Sequence, residues 1–195
     1  MRKIFMAAVA LMMIALLAGC GSSDKKDLPM KTVTIHAEKS SLEISTPFDL
    51  NDDTLKDLGG MEDLIKKYVM KSAEKDGVMI VASCTVFDKE KIESQSGQPF
   101  APDLQGGLLG AVANTKNAKS TDSIKDVEIN GIRCKSVNGV VDVKLAGESS
   151  SSECEFRIVD FAADNEFWMV MIVRKPNDQT KRIAEAVFNS LKLSS

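Results

Sequence analysis

Phe167-Trp168-Met169-Val170-Met171-Ile172-Val173 is apolar at every position. A strand with one wet face alternates in polarity, so a run that is apolar on both parities predicts a central strand covered from both sides. Just before it, Cys154 to Phe161 is a second strand-like run, and the polar pair Asp164-Asn165 predicts a tight connection between the two. Just after it, Asp178 or Thr180 can cap a helix in which Ile183, Ala184, Val187, Phe188 and Leu191 form one apolar stripe. That stripe is the natural cover for one face of the Phe167–Val173 strand.

Further outward, Val127 to Leu145 is strand-rich, with Asn130-Gly131 and Asn138-Gly139 as turn or bulge signals. Asp103 to Lys119 reads as a helix weakened by Gly106, Gly107 and Gly110, and Glu90 to Pro102 as a loop. Val78 to Phe87 is a buried strand. Met61, Leu64, Ile65, Tyr68 and Val69 fall at helical spacing and predict an amphipathic helix. Residues 31 to 50 supply two strands, the second ending at Pro47-Phe48. The order β-β-α-β-α-β-β-β-α, with strands in groups, predicts an α+β fold: a mostly antiparallel sheet with helices packed on its faces.

The N-terminus has a different composition. Arg2 and Lys3 precede a 14-residue apolar run from Ile4 to Leu17. A membrane-spanning helix needs about 20 apolar residues, whereas about 10–14 suits the core of a signal peptide. Leu17-Ala18-Gly19-Cys20 follows at once and resembles the lipobox of bacterial lipoproteins, in which the cysteine thiol takes a diacylglyceryl group and the chain is cut before it. This predicts a signal peptide over 1–19, a lipidated Cys20 with a flexible polar tether over 20–30, and one domain over 31–195. At least two acyl chains (palmitate or similar) give stable anchoring, where one would be marginal. The implied location is the exported side of a bacterial envelope membrane: the outer membrane in a Gram-negative cell, the outer face of the cell membrane in a Gram-positive one. Cleavage takes two of the 25 basic residues and none of the 28 acidic ones, so the formal charge goes from −3 to −5. A mildly acidic chain without a basic run argues against nucleic-acid binding.

Pro47-Phe48, the opening Val127-Glu128-Ile129-Asn130-Gly131-Ile132, the apolar hairpin through Trp168 and the closing helix Ile183 to Leu193 with Phe188-Asn189-Ser190-Leu191 together resemble the PsbP-like group, which includes DcrB-type bacterial lipoproteins. The resemblance covers roughly residues 31–193, and the aromatic expected soon after the first proline is missing. It implies an α/β/α sandwich and a non-enzymatic accessory or binding role, with no catalytic residue, cofactor or metal ligand to carry over.

The residues themselves say little about catalysis. His36 is the only histidine, so any Ser-His triad or His-containing zinc site would run through it; on an early strand it reads as a surface or satisfied side chain. Cys84, Cys134 and Cys154 remain once Cys20 is lipidated. They read as buried thiols, with a Cys134–Cys154 bridge as the alternative. Asp49, Asn51, Asp53 and Asp57 have calcium-loop spacing, but Thr54 and Gly60 stand where the turn glycine and bidentate glutamate belong. Gly106-Gly107-Leu108-Leu109-Gly110 fits close helix packing or a mobile segment better than a phosphate loop, and Met169 and Met171 are core or pocket lining. The expectation is a monomeric, membrane-anchored, non-catalytic module for an envelope protein partner or a small apolar ligand. The alternative is an envelope hydrolase working with paired carboxylates.

Overall fold

The computed structural model describes residues 29–53 and 61–194. The signal segment, Cys20 and most of the tether lie outside the described residues, as do Thr54, Asp57 and Gly60. No helix among the described residues is long and apolar enough to cross a membrane.

The fold is α+β. A large antiparallel sheet has the order β3-β4-β5-β10-β9-β8-β6, with β7 on the same outer edge of β8 as β6. Its strands are β3 (Asn51–Asp53), β4 (Ile65–Lys75), β5 (Val78–Phe87), β6 (Ala118–Ser120), β7 (Lys125–Ile129), β8 (Ile132–Val143), β9 (Ser152–Ala163) and β10 (Glu166–Arg174). A small sheet joins β1 (Lys31–His36), β2 (Ser41–Thr46) and β11 (Lys192–Ser194) in the order β1-β2-β11. The helices are α1 (Lys89–Ser96), α2 (Leu104–Asn114) and α3 (Asp178–Asn189).

Three two-residue hairpins set the register of the large sheet. Asp76-Gly77, Asn130-Gly131 and Asp164-Asn165 each begin with a residue at positive φ, the backbone that matches strand twist and that Asn, Asp and Gly tolerate. The Asn130 amide also donates to the carbonyls of Asn189 (2.8 Å) and Leu191 (2.9 Å), closing the end of α3.

As expected, β10 is central, paired with β5 and β9. Its inner face (Trp168, Val170, Ile172) joins the larger core with Ile183, Val187 and Leu191 from the C-terminal segment and Ile35, Leu42 and Ile44 from the small sheet. Its outer face (Met169, Met171, Val173) joins a smaller core with Leu108 of α2 and Val137, Phe156 and Ile158.

Several expectations are corrected. Met61 to Val69 is not a helix: a 3-10 turn at Glu62–Leu64 leads directly into β4. The Asp76-Gly77 turn folds β4 back on β5 from Lys75↔Val78 to Tyr68↔Thr85 without a break, and this long pairing overrides a nine-residue helical periodicity. Glu90 to Pro102 is not all loop, because α1 forms there with Asp88 accepting from the Lys91 N–H and Gly97 closing it at φ 67°. That helix buries no residue, so it has no apolar stripe to read. The glycine helix is shorter than Asp103 to Lys119. The cap of α3 is Asn177, whose side chain accepts from the Thr180 N–H, rather than Asp178 or Thr180. The helix ends at Asn189, Leu191 packs beyond it, and residues 192–194 are β11. Asn138-Gly139 is neither turn nor bulge but lies within β8; a Cβ at Gly139 would collide with the Phe156 ring and the Lys119 carbonyl.

Candidate functional site

Directly opposed residues of antiparallel strands point to the same side, so the register assigns the outer face row by row. One row runs Tyr68, Thr85, Phe167; the next Met70, Ser83, Met169, Asp160; the next Ser72, Val81, Met171, Ile158. Met79 and Val173 follow. α2 lies over β9, β8 and β6 and buries that end of each row. Over β4, β5 and β10, Tyr68, Met70, Met79, Val81, Met169 and Met171 remain only half-buried. The result is a half-buried strip of sheet surface beside α2 that carries four methionines (the methionine trough), with the Tyr68 hydroxyl directed to the Met70 sulfur at 3.2 Å. On the other flank of α2 a groove of about 530 Å³ runs between Leu108, Leu109 and Val112 and the segment around Ile124. Leu109, 57% exposed, stands at its rim.

Asp160 sits at the inner end of the Met70–Ser83–Met169 row, beneath α2. It is 0% exposed, and neither carboxyl oxygen has a hydrogen-bond partner. Gly107 is the reason the helix can come so close: a Cβ there would stand 2.9 Å from Asp160 Oδ2 and 2.5 Å from Phe167 Cζ. The glycine cluster thus serves close packing at Gly107, whereas Gly110 has nothing within 4 Å of a Cβ. Burial pushes the Asp160 carboxyl up to about 8. Buried polar groups are nearly always paired, and an unpaired one at the edge of a trough marks a place to look for a ligand. The sequence drew attention to Met169 and Met171 but not to Asp160, whose only signal is a charge in the otherwise apolar alternate row Cys154, Phe156, Ile158 of β9.

The other sequence candidates are scattered. His36 is exposed and shares a 2.8 Å hydrogen bond between Nδ1 and Ser41 Oγ across the β1–β2 pair. Asp49 pairs with Lys31 at 2.7 Å and Asp52 with Lys71 at 2.6 Å, while the Ser72 hydroxyl donates to Asp53 at 2.8 Å. Asn51 to Asp53 is therefore an edge strand rather than a loop wrapped around an ion, and Asp57 is outside the described residues. No cluster of three potential metal ligands occurs among the described residues. Cys84, Cys134 and Cys154 are free and buried. Burial raises all three thiols, Cys134 to about 11, so none is a reactive thiolate near neutral pH. Cys134 packs in the inner core and Cys154 in the outer. Opposite faces of the sheet rule out the bridge.

Comparison with known proteins adds little. No family model matches the chain, and no curated protein matches it. Among solved structures it is similar to PA94, a protein of unknown function from Pseudomonas aeruginosa, at 15% identity and TM-score 0.43, covering 84% of this chain and 96% of that one. It is also similar to LpqN, involved in cell envelope biogenesis of Mycobacterium tuberculosis, at 12% identity and TM-score 0.41, covering 87% of this chain and 94% of that one. Likenesses at that level carry no functional argument.

Proposed function

We propose that this chain is a non-catalytic binding module, held at the bacterial envelope by lipid on Cys20, that takes a small apolar ligand in the methionine trough of the large sheet. The half-open group Met70, Met79, Met169 and Met171 carries the reading, because unbranched, polarisable thioethers re-pack around varied apolar shapes. The unpartnered Asp160 carboxyl at the end of the trough supports it. The anchoring part rests on the Leu17-Ala18-Gly19-Cys20 box, and the accessory role on the PsbP-like sequence features. A carboxylate hydrolase would need two acids converging on open space. The two carboxylates that line an opening together, Glu155 and Glu185, are each drawn to a cation, Arg174 and Lys181.

The test is a titration of residues 28–195 with the neutral fluorophore N-phenyl-1-naphthylamine. Saturable binding is expected, and Met171→Asp should abolish it while leaving a cooperative melt. Lack of binding by the wild-type domain, or binding unchanged in Met171→Asp, would reject the trough as the site.

A further inference from the structure

A second opening lies on the inner face, away from the methionine trough. There α3 leaves part of β8 and β9 uncovered, and a cleft of about 320 Å³ opens between the helix and strands β8–β10. Arg157 rises from β9 into this cleft with its guanidinium carbon 4.7 Å from the centre of the Phe188 ring. Its Nε donates to Ser136 Oγ at 3.2 Å. Ring and hydroxyl hold the guanidinium plane in place, yet no ion pair among the described residues includes Arg157.

The surrounding carboxylates are already engaged. Glu155 is drawn to Arg174, and Glu185 stands 4.0 Å from Lys181. Asp122 spends Oδ1 on the Asn138 N–H and Oδ2 on the Asn138 amide and Lys125. The cleft lining thus sets Arg157, Arg174 and Lys181 against Glu155 and Glu185, with Asp122 outside the lining and acting on Arg157 only through its field, and the cation without an ion pair is the one fixed in place. Half-burial disfavours the charged guanidinium, a cost that an incoming anion would offset. A planar, pre-oriented guanidinium offers paired N–H donors to a tetrahedral oxyanion, and Arg174 and Lys181 flank it. The apolar floor of Ile172, Ala184 and Phe188 suits the carbon skeleton attached to such a group.

We propose that this cleft is a phosphate-binding site, in which Arg157 grips the phosphoryl oxygens of an anionic phospholipid headgroup or of a soluble phosphate, with Arg174 and Lys181 at its rim. The proposal stands apart from the apolar-ligand reading, since the two openings lie on opposite faces of the sheet.

The experiment uses the lipidated full chain in dodecyl maltoside micelles, with binding followed by thermal shift at constant ionic strength. Inorganic phosphate and dihexanoylphosphatidylglycerol are titrated separately. Saturable stabilisation by phosphate supports the site with a soluble source, and saturation by the lipid alone supports it with a headgroup source. Saturation by neither overturns the proposal. Arg157→Met should weaken the responding ligand about tenfold or more, and Arg157→Lys should recover only part of that. Equal binding in Arg157→Met would also overturn it. Should Arg157→Met fail to fold, exposed Lys181→Gln decides: a loss of roughly twofold to threefold is expected, and no loss rejects the site.

Discussion

Glu166 and Asp160 are both 0% exposed and stand on the two arms of one hairpin, yet the fold treats them in opposite ways. Glu166 faces inward and receives the N–H groups of Glu38 (2.8 Å), Lys39 (2.6 Å) and Ser40 (2.9 Å) together with the Ser40 hydroxyl. Ser40 in turn accepts from Trp168 Nε1 at 3.0 Å. Burial alone would raise the Glu166 pKa, but the Ser40 hydroxyl and the three backbone donors outweigh it and hold the carboxyl below its ordinary range. Asp160 faces outward beneath α2 and receives nothing, so burial acts on it unopposed. The number of donors, and not the depth of burial, decides whether a buried acid ties elements together or stores a cost. Glu166 fastens the β1–β2 turn to the central hairpin.

The harshest way to probe this difference is to add a third acid without donors. Val170 lies between Glu166 and the far end of β10 on the inner face and is fully buried. Val170→Asp should lose about 5 kcal/mol or more, enough to unfold a domain of ordinary stability. Met171→Asp, one residue on but half-exposed in the trough, should lose about 1–2 kcal/mol. Comparable unfolding of both in urea melts would mean that the outer face is closed.

Removing the satisfied acid should come next in size. Glu166→Ala takes the acceptor from four donors at the β1–β2 turn, the two of Ser40 buried, and should lose about 3–4 kcal/mol. It should also change the emission of Trp168, the only tryptophan in the chain. The pH dependence has a definite sign. With the folded pKa below the unfolded one, the contribution of Glu166 is complete above an ordinary value of about 4.5 and is lost as pH falls through the folded value. Glu166→Gln should therefore flatten the acid limb of the stability curve. An acid limb as steep as that of the wild type would show that the carboxylate is not what fastens the turn.

What the sequence disclosed follows the same division between local and long-range causes. The apolar run at 167–173, the stripe at 183–191 and the Asn130-Gly131 turn are local patterns, and all of them reappear. The β4 strand was hidden because Tyr68 and Val69 satisfy helical spacing while belonging to opposite faces of a strand, and only the Asp76-Gly77 turn distinguishes the two. α1 was hidden because its residues bury nothing. Met169 and Met171 were legible as candidates, since their strand is local. Asp160, Arg157 and the Glu166 network were not, because the surroundings of each come from about 20 to more than 100 residues away and meet only through strand order, and chain separation of that kind leaves no periodic trace.

Relieving the unsatisfied acid should stabilise the protein. Asp160→Val removes both unpartnered oxygens and suits a strand, and should gain about 2–3 kcal/mol near pH 4, where the buried carboxyl is neutral. With a folded pKa of about 8 against an ordinary 3.8, wild-type stability should fall by about 1.4 kcal/mol per pH unit from this group. The loss begins as pH rises through the unfolded value and levels off above the folded one. Melts of the two proteins between pH 4 and 9 should therefore diverge as pH rises. Parallel curves would mean that Asp160 has a donor after all.

The smallest effects test what keeps Asp160 dry. Alanine is favoured over glycine in a helix by about 1 kcal/mol, so Gly110→Ala, with open space around its Cβ, should stabilise α2 by about that amount. Gly107→Ala makes the same exchange one turn earlier but sets a methyl against Phe167 and Asp160. The overpacking, about 1–3 kcal/mol, offsets the gain in propensity, and the expected net is a loss of about 1 kcal/mol. The helix relieves the clash by lifting, which lets water reach the carboxyl. Gly107→Ala should therefore also lower the pH at which the Asp160 slope levels off, whereas Gly110→Ala should leave it unchanged. If both variants stabilise equally and keep the wild-type pH profile, close packing at Gly107 is not what isolates Asp160.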